Sequence, residues 1–143
     1  MKTLYTAEAL ASGEGRDGTA VTKDGRLSVA LASPVELGGS GEGTNPEQLF
    51  AAGYAACFHS ALRLVGRQQK ADLTDSAVAA RIHLGALGDG SGYGIAAELE
   101  IALPAVDRET AEALVAKAHE VCPYSNATRG NITVDITILE VAA

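Results

Sequence analysis

The stretch TNPEQLFAAGYAACFHSAL, residues 44–62, decides the fold. Asn45 is a suitable N-cap, Pro46 fits the first helical position and Glu47 lies in the first turn. Thr44 and Glu47 offer an alternative capping box, one residue out of phase with the first. Both patterns predict that a helix begins here.

This helix should run to about Gln69. It is apolar on nearly every side and rich in Ala and Gly, which is typical of a buried helix that other backbones approach closely. A helix of this kind needs cover on all sides, and a single six-stranded sheet covers only one. We therefore expect a homodimer that shares its core.

The segments on either side of this helix predict strands and one further helix. Asp24-Gly25 is a strong signal for a tight hairpin, and Asp107 is a suitable N-cap for a helix over residues 108–121. The predicted strands cover residues 3–10, 19–23, 27–32, 75–84, 94–103 and 131–141. The order βββ-α-ββ-α-β, with strands in groups that suggest antiparallel pairing, indicates a single α+β domain over residues 1–143.

Composition narrows the class of function. The chain is 47% hydrophobic and 20% charged, as in soluble globular proteins, and its net charge of −7 argues against a nucleic-acid surface. No segment reads as long or apolar enough to cross a membrane, and the N-terminus lacks the apolar stretch of a signal peptide. We therefore expect a cytoplasmic protein. In that compartment two cysteines are more often catalytic or redox-sensing than joined in a structural disulfide.

The two cysteines leave several interpretations open. Cys57 lies about twelve residues into the first helix, roughly 18 Å from its N-terminus, so the helix dipole does not activate it. It can be simple core packing, or a reactive thiol if a cation stabilises its thiolate and a second thiol resolves its oxidation. Arg16 in a Gly-rich loop, Glu47 as its partner, and Cys122 before Pro123 are the candidates. A zinc set is a weaker alternative; it would comprise Cys57, His59, His119 and Cys122.

Two motifs resemble those of a known family. TNPEQLFAAGYAACFHSAL (44–62) and VCPYSNATRGNI (121–132), with Arg16 before the hairpin, resemble the Ohr branch of the Ohr/OsmC family, the organic hydroperoxide resistance proteins. The resemblance covers essentially the whole chain. It implies an OsmC-like fold in which antiparallel sheets wrap two long central helices of an intertwined homodimer, with active sites at the subunit interface.

The resemblance also implies an activity. It points to a thiol peroxidase for organic hydroperoxides, with Cys57 as the peroxidatic thiolate and Cys122 as the resolving cysteine, joined by an intramolecular disulfide during turnover. Arg16 and Glu47 would be the activating pair. No bound cofactor is implied, and a lipoylated protein or another dithiol would serve as reductant. A redox sensor, or a zinc-binding or structural dimer, is the alternative.

Helix geometry adds one expectation about assembly. Glu47 and Cys57 are separated by roughly 15 Å along one helix axis, too far to share a site within one regular helix. Glu47, together with Arg16, is therefore expected to come from the partner subunit across antiparallel helices. After Pro123 we expect a polar turn in which Tyr124, Ser125, Asn126 and Thr128 satisfy backbone groups, Arg129 is structural, and Cys122 is free to move.

Overall fold

A computed structural model describes all residues, Met1–Ala143, and the chain forms two compact units, residues 1–49 and 50–143. The α+β class is confirmed. The elements are β1 (Ala9–Ser12), β2 (Thr19–Thr22), β3 (Ser28–Ala30), α1 (Pro46–Gln69), β4 (Ala77–Ala86), β5 (Tyr93–Leu103), α2 (Arg108–Val121), α3 (Pro123–Thr128) and β6 (Val134–Val141), with short 3₁₀ turns at Gly15–Asp17 and Val35–Leu37.

The first unit contains a three-stranded antiparallel sheet in the order β1-β2-β3. The predicted hairpin is present: Gly25 has a φ of +70°, and its N–H donates to the carbonyl of Thr22 at 2.8 Å. The first strand is shorter than predicted and begins at Ala9 rather than at residue 3. Ala9 pairs with Thr22, where β2 ends, so the β-forming residues before Ala9 have no strand beside them to pair with.

The second unit contains a separate sheet in the order β4-β5-β6. The strands thus form two sheets, as the family resemblance implies, rather than the single six-stranded sheet considered from the strand count, and the prediction of purely antiparallel pairing is wrong. β4 and β5 form an antiparallel hairpin, but β5 and β6 are parallel. The reason is the connection, because a crossover through helices returns the chain in the same direction.

Helix α1 has the predicted bounds. The N–H of Gln48 donates to Asn45 Oδ1 at 2.9 Å, and the N–H of Asn45 lies 3.4 Å from Gln48 Oε1. Asn45 is therefore the N-cap, and the capping box forms with Gln48 rather than between Thr44 and Glu47. By length and composition α1 could span a membrane, which corrects the expectation that no segment could, although core helices meet the same test.

The core of the second unit lies where α1, α2 and β5 present their apolar residues to one another. Tyr54, Phe58, Leu62 and Val65 of α1 recur at helical spacing and are buried. The opposite face of α1 is exposed, with Ala52, Ala56, Ser60 and Leu64 along it. Helix α1 is thus apolar all round in sequence but covered on one side only within its own chain.

Candidate thiol site

The break between α2 and α3 sets the position of Cys122. This residue is both the C-cap of α2 and the N-cap of α3, with φ −66° and ψ 123°. The ring of Pro123 disfavours helical dihedrals at the residue before it, and proline suits the first position of the helix that follows. The predicted polar turn is instead the short helix α3, and Cys122, expected to be free to move, is fully buried in the core.

Arg129 stabilises this break. The carbonyl of His119 would accept from the N–H four residues on, but that residue is Pro123, which has none. The guanidinium of Arg129 donates to the His119 carbonyl, and its Nη1 donates to Asn126 Oδ1 at 2.8 Å. These contacts agree with the structural role expected for Arg129.

The structure brings the two cysteines together. Cys57 lies on α1 and is half-buried, whereas Cys122 is buried, and both are free thiols. Cys57 packs against the hydrophobic cluster that contains Cys122, and Cys122 is near enough to raise the pKa of Cys57. A second sulfur therefore lies beside the first although the two are far apart in sequence.

The surroundings of Cys57 raise its pKa. Burial is the main cause, and the charge and hydrogen bond of Cys122 act in the same direction, while the backbone N–H of Tyr124 lowers the pKa in part. The sequence interpretation called for a thiol whose pKa is depressed by a cation. These groups, all within residues 50–143, have the opposite net effect, so the thiolate requires an additional source of positive charge.

Arg16 and Glu47 form an ion pair with two hydrogen bonds. Arg16 Nη1 donates to Glu47 Oε2 at 2.9 Å and Nη2 donates to Oε1 at 2.7 Å. The hydrogen bond from Arg16 holds the pKa of Glu47 below its usual range, and Glu47 in turn raises the pKa of Arg16. The Arg16 side chain remains 41% exposed, so the guanidinium retains faces for a further anion. A carboxylate held in this way orients the guanidinium and is unsuited to act as a base.

A buried chain of hydroxyl groups was missed at the sequence level. The hydroxyl of Tyr54 lies 3.0 Å from Ser125 Oγ and 3.2 Å from Thr128 Oγ1, and Ser125 Oγ lies 2.8 Å from His119 Nδ1. The sequence predicts only a role in the turn for Ser125 and Thr128. The sequence does contain one signal for this network. Tyr54 lies three residues before one cysteine and His119 three residues before the other, and residues three apart share a helix face.

The alternative zinc set is not assembled. His59 Nε2 lies 3.0 Å from Ser76 Oγ, and His119 Nδ1 is engaged with Ser125. No three His, Cys, Asp or Glu side chains form a group that could hold a metal ion. The four residues of the alternative set therefore do not form a metal site.

Comparison with known proteins gives consistent results. The model of the OsmC-like protein family matches residues 39–137. An organic hydroperoxide resistance protein of Xanthomonas axonopodis pv. citri is 52% identical over 139 residues, 96% of each chain. A crystal structure of such a protein from Legionella pneumophila is 50% identical with a TM-score of 0.91, covering 96% of this chain and 98% of that one. Another, from Elizabethkingia anophelis, is 46% identical with a TM-score of 0.92, covering 98% and 99%.

Proposed function

Because the chain belongs to the organic hydroperoxide resistance branch of the OsmC-like family, we propose that it is a cysteine-based peroxidase that reduces organic hydroperoxides to alcohols. The observation that carries the proposal is that Cys57 on α1 packs against the core cluster that contains Cys122. The names of the relatives support the general role in peroxide detoxification. The contact between the cysteines supports the finer mechanism.

The proposed cycle has three balanced steps. The Cys57 thiolate attacks the distal oxygen of the hydroperoxide, the O–O bond breaks, and the alkoxide takes a proton to leave as alcohol. The resulting Cys57 sulfenic acid is attacked by the Cys122 sulfur, which forms a disulfide and releases water. A dithiol, such as the dihydrolipoyl group of a lipoylated protein, reduces the disulfide by exchange and is itself oxidised to a cyclic disulfide.

The first step needs positive charge at Cys57, since the groups of its own unit raise the thiol pKa. We assign this role to Arg16, oriented by Glu47, both supplied by the partner subunit of a homodimer. A guanidinium stabilises the thiolate and also the negative charge that develops on the leaving oxygen. The exposed face of α1, with Ala52, Ala56 and Leu64, is consistent with a partner that covers this helix.

The apolar surroundings favour alkyl and fatty-acid hydroperoxides over hydrogen peroxide. Phe50 lies two turns before Cys57 on α1, and its ring packs edge-on against Tyr124 with centroids 5.8 Å apart. An alkyl group that contacts such rings gains free energy from burial, which hydrogen peroxide cannot. Cytoplasmic location, where dithiols are kept reduced, fits the same cycle.

A peroxidase assay with cumene hydroperoxide and dihydrolipoamide tests the proposal. Cys57→Ser should abolish turnover, whereas Ala113→Ser, which places the same hydroxyl on the exposed face of α2, should retain it. Cys122→Ser should allow one oxidation of Cys57 and block recycling, and the wild-type protein should give a Cys57–Cys122 peptide under non-reducing digestion. Retention of turnover in Cys57→Ser would refute the peroxidase mechanism.

Two further measurements separate the alternatives and the source of the cation. A redox sensor predicts slow turnover with no preference among reductants, and a zinc-binding dimer predicts stoichiometric metal in the purified protein. Arg16→Gln should raise the apparent pKa of Cys57 in an alkylation titration, because the positive charge is removed. A monomeric variant that retains full activity would exclude supply of Arg16 by the partner.

A further inference from the structure

The break at Cys122 is fixed to α1 through buried hydroxyl groups. Helix α3 has only six residues, which is too short to be stable by itself, so tertiary contacts must fix its place. The Tyr54 hydroxyl supplies two of them, to Ser125 and Thr128 on α3. Tyr54 and Ser125 are completely buried, and Thr128 is nearly so. The connection therefore forms away from water, where a hydrogen bond fixes position most firmly.

The number of available hydrogens sets the direction in which these hydrogen-bonded groups donate to one another. The Thr128 hydroxyl makes its shortest contact, 2.9 Å, with the carbonyl of Tyr124, and the carbonyl of Ser125 lies at 3.2 Å, so its hydrogen is assigned to a backbone acceptor rather than to Tyr54. Tyr54 must then donate its single hydrogen to Thr128, and Ser125 must donate to Tyr54. Ser125 has no hydrogen left for His119. The Nδ1 of His119 must therefore be the donor to Ser125.

This series of hydrogen bonds connects the end of α2 and the start of α3, which lie on either side of Cys122. His119 lies in the last turn of α2, three residues before Cys122, and Ser125 lies three residues after Cys122. Tyr54 lies one turn before Cys57 on α1. Burial and the nearby Arg129 charge lower the pKa of His119, so the ring is neutral at pH 7 and its tautomer is meaningful. The same contacts that fix the tautomer thus fix the segment carrying Cys122 against the helix carrying Cys57.

We propose that Tyr54 is a positioning residue for the resolving step: its hydroxyl holds α3, and hence Cys122, in place to attack oxidised Cys57, and it sets the Nδ1–H tautomer of His119. This role rests on the proposed peroxidase function. It concerns the second step of the cycle only. The Tyr54 hydroxyl is engaged with Ser125 and Thr128, so the first oxidation of Cys57 should not depend on it.

Tyr54→Phe tests this role, since it removes the hydroxyl and keeps the ring. Stopped-flow oxidation with cumene hydroperoxide should give an unchanged rate of Cys57 oxidation. Disulfide formation should be about fivefold slower, which is the change in rate that corresponds to the loss of one hydrogen bond's net contribution of about 1 kcal/mol. Mass spectrometry at rising peroxide should show more Cys57 sulfinic acid. Ser125→Ala should act in the same direction, and Ser76→Ala, which removes a hydroxyl bonded to His59 instead, should match the wild type.

The tautomer provides a readout that a loss of stability alone would not move. In Tyr54→Phe the Ser125 hydroxyl loses its acceptor and can turn to His119 Nδ1, so ring nitrogen shifts in NMR should report a change toward the Nε2–H form. Disulfide formation at the wild-type rate with an unchanged tautomer in both variants would overturn the role of Tyr54. A wild-type protein that forms no Cys57–Cys122 disulfide with peroxide would instead overturn the proposed function, and this role with it.

Discussion

Replacement of Arg129 by methionine tests how the chain tolerates a proline at the end of α2. Methionine keeps an unbranched stem but donates no hydrogen bond. The variant loses the bond to the His119 carbonyl, which Pro123 leaves without a helical donor, and the bond to Asn126 Oδ1. Both bonds hold the segment around Cys122, so their loss should weaken the α2–α3 junction specifically.

The expected size follows from the contacts. Hydrogen bonds to charged groups contribute about 1.5–3 kcal/mol each when well protected, and neutral ones about 1 kcal/mol. Arg129 is exposed to solvent, so we expect a combined loss of about 1–2 kcal/mol in the free energy of unfolding. For a chain of this size that corresponds to a fall in Tm of about 3–8 °C.

The assay is urea unfolding followed by circular dichroism, with Arg26→Met as the matched control. Arg26 is almost fully exposed and its ion pair with Asp24 is long at 3.8 Å, so its loss should change stability by less than about 0.5 kcal/mol. An Arg129→Met variant as stable as Arg26→Met would refute the reasoning that Arg129 replaces the donor missing at Pro123.

Replacement of Arg129 should also change how stability depends on pH. Burial and the Arg129 charge hold the pKa of His119 below its usual value, so the unfolded chain binds a proton more readily than the folded one. This contribution to stability is complete above about pH 6.5 and is lost as the pH falls through the lowered pKa. In Arg129→Met the His119 pKa should rise in an NMR titration, and the loss of stability toward acid pH should become smaller.

Three further predictions concern packing and capping. Gly66→Ala should destabilise by about 1 kcal/mol in thermal unfolding, because a Cβ there would lie 2.4 Å from Leu73 Cδ1 and the cost of overpacking exceeds the gain in helix propensity; a higher Tm would contradict this. Leu99→Ala, at a fully buried site of β5, should lose about 2–5 kcal/mol by urea unfolding, whereas Leu139→Ala at a 60% exposed site should be nearly neutral. Asn45→Ala should lose about 1 kcal/mol through the α1 cap, and an effect no larger than that of the exposed control Asn131→Ala would exclude that cap contribution.

Local signals predicted the helices well. The cap at Asn45 and the proline after it fixed the start of α1, and Asp107, whose carboxylate accepts from the N–H of Thr110, fixed the start of α2. The Asp24-Gly25 hairpin was predicted for the same reason. Each of these depends on contacts within a few residues, which the order of residues specifies directly.

Non-local features were predicted less well. The β-forming residues Thr3, Tyr5 and Thr6 lack a strand, because β2 ends at Thr22 and the last backbone bond beyond it joins Lys23 to Glu8. β5 and β6 are parallel, and the strands divide into two sheets. Strand direction and sheet membership depend on the path of the connections between strands, which the strand sequences do not specify. Helix α3 lies where the sequence predicts a turn, because its polar residues suit either structure until Tyr54 and Arg129 hold it.

The sequence by itself determined the helix ends, the hairpin, the break at Pro123 and the two cysteine motifs, all of which depend on local dihedral preferences and on the kinds of residue present. Only the tertiary structure decided that Cys122 is buried beside Cys57, that Arg16 and Glu47 pair at two points, and that Tyr54 links α1 to α3. These contacts join residues far apart in the chain. Their formation depends on how helices and sheets pack, and the free energy of packing is spread over the whole core rather than encoded in any short stretch.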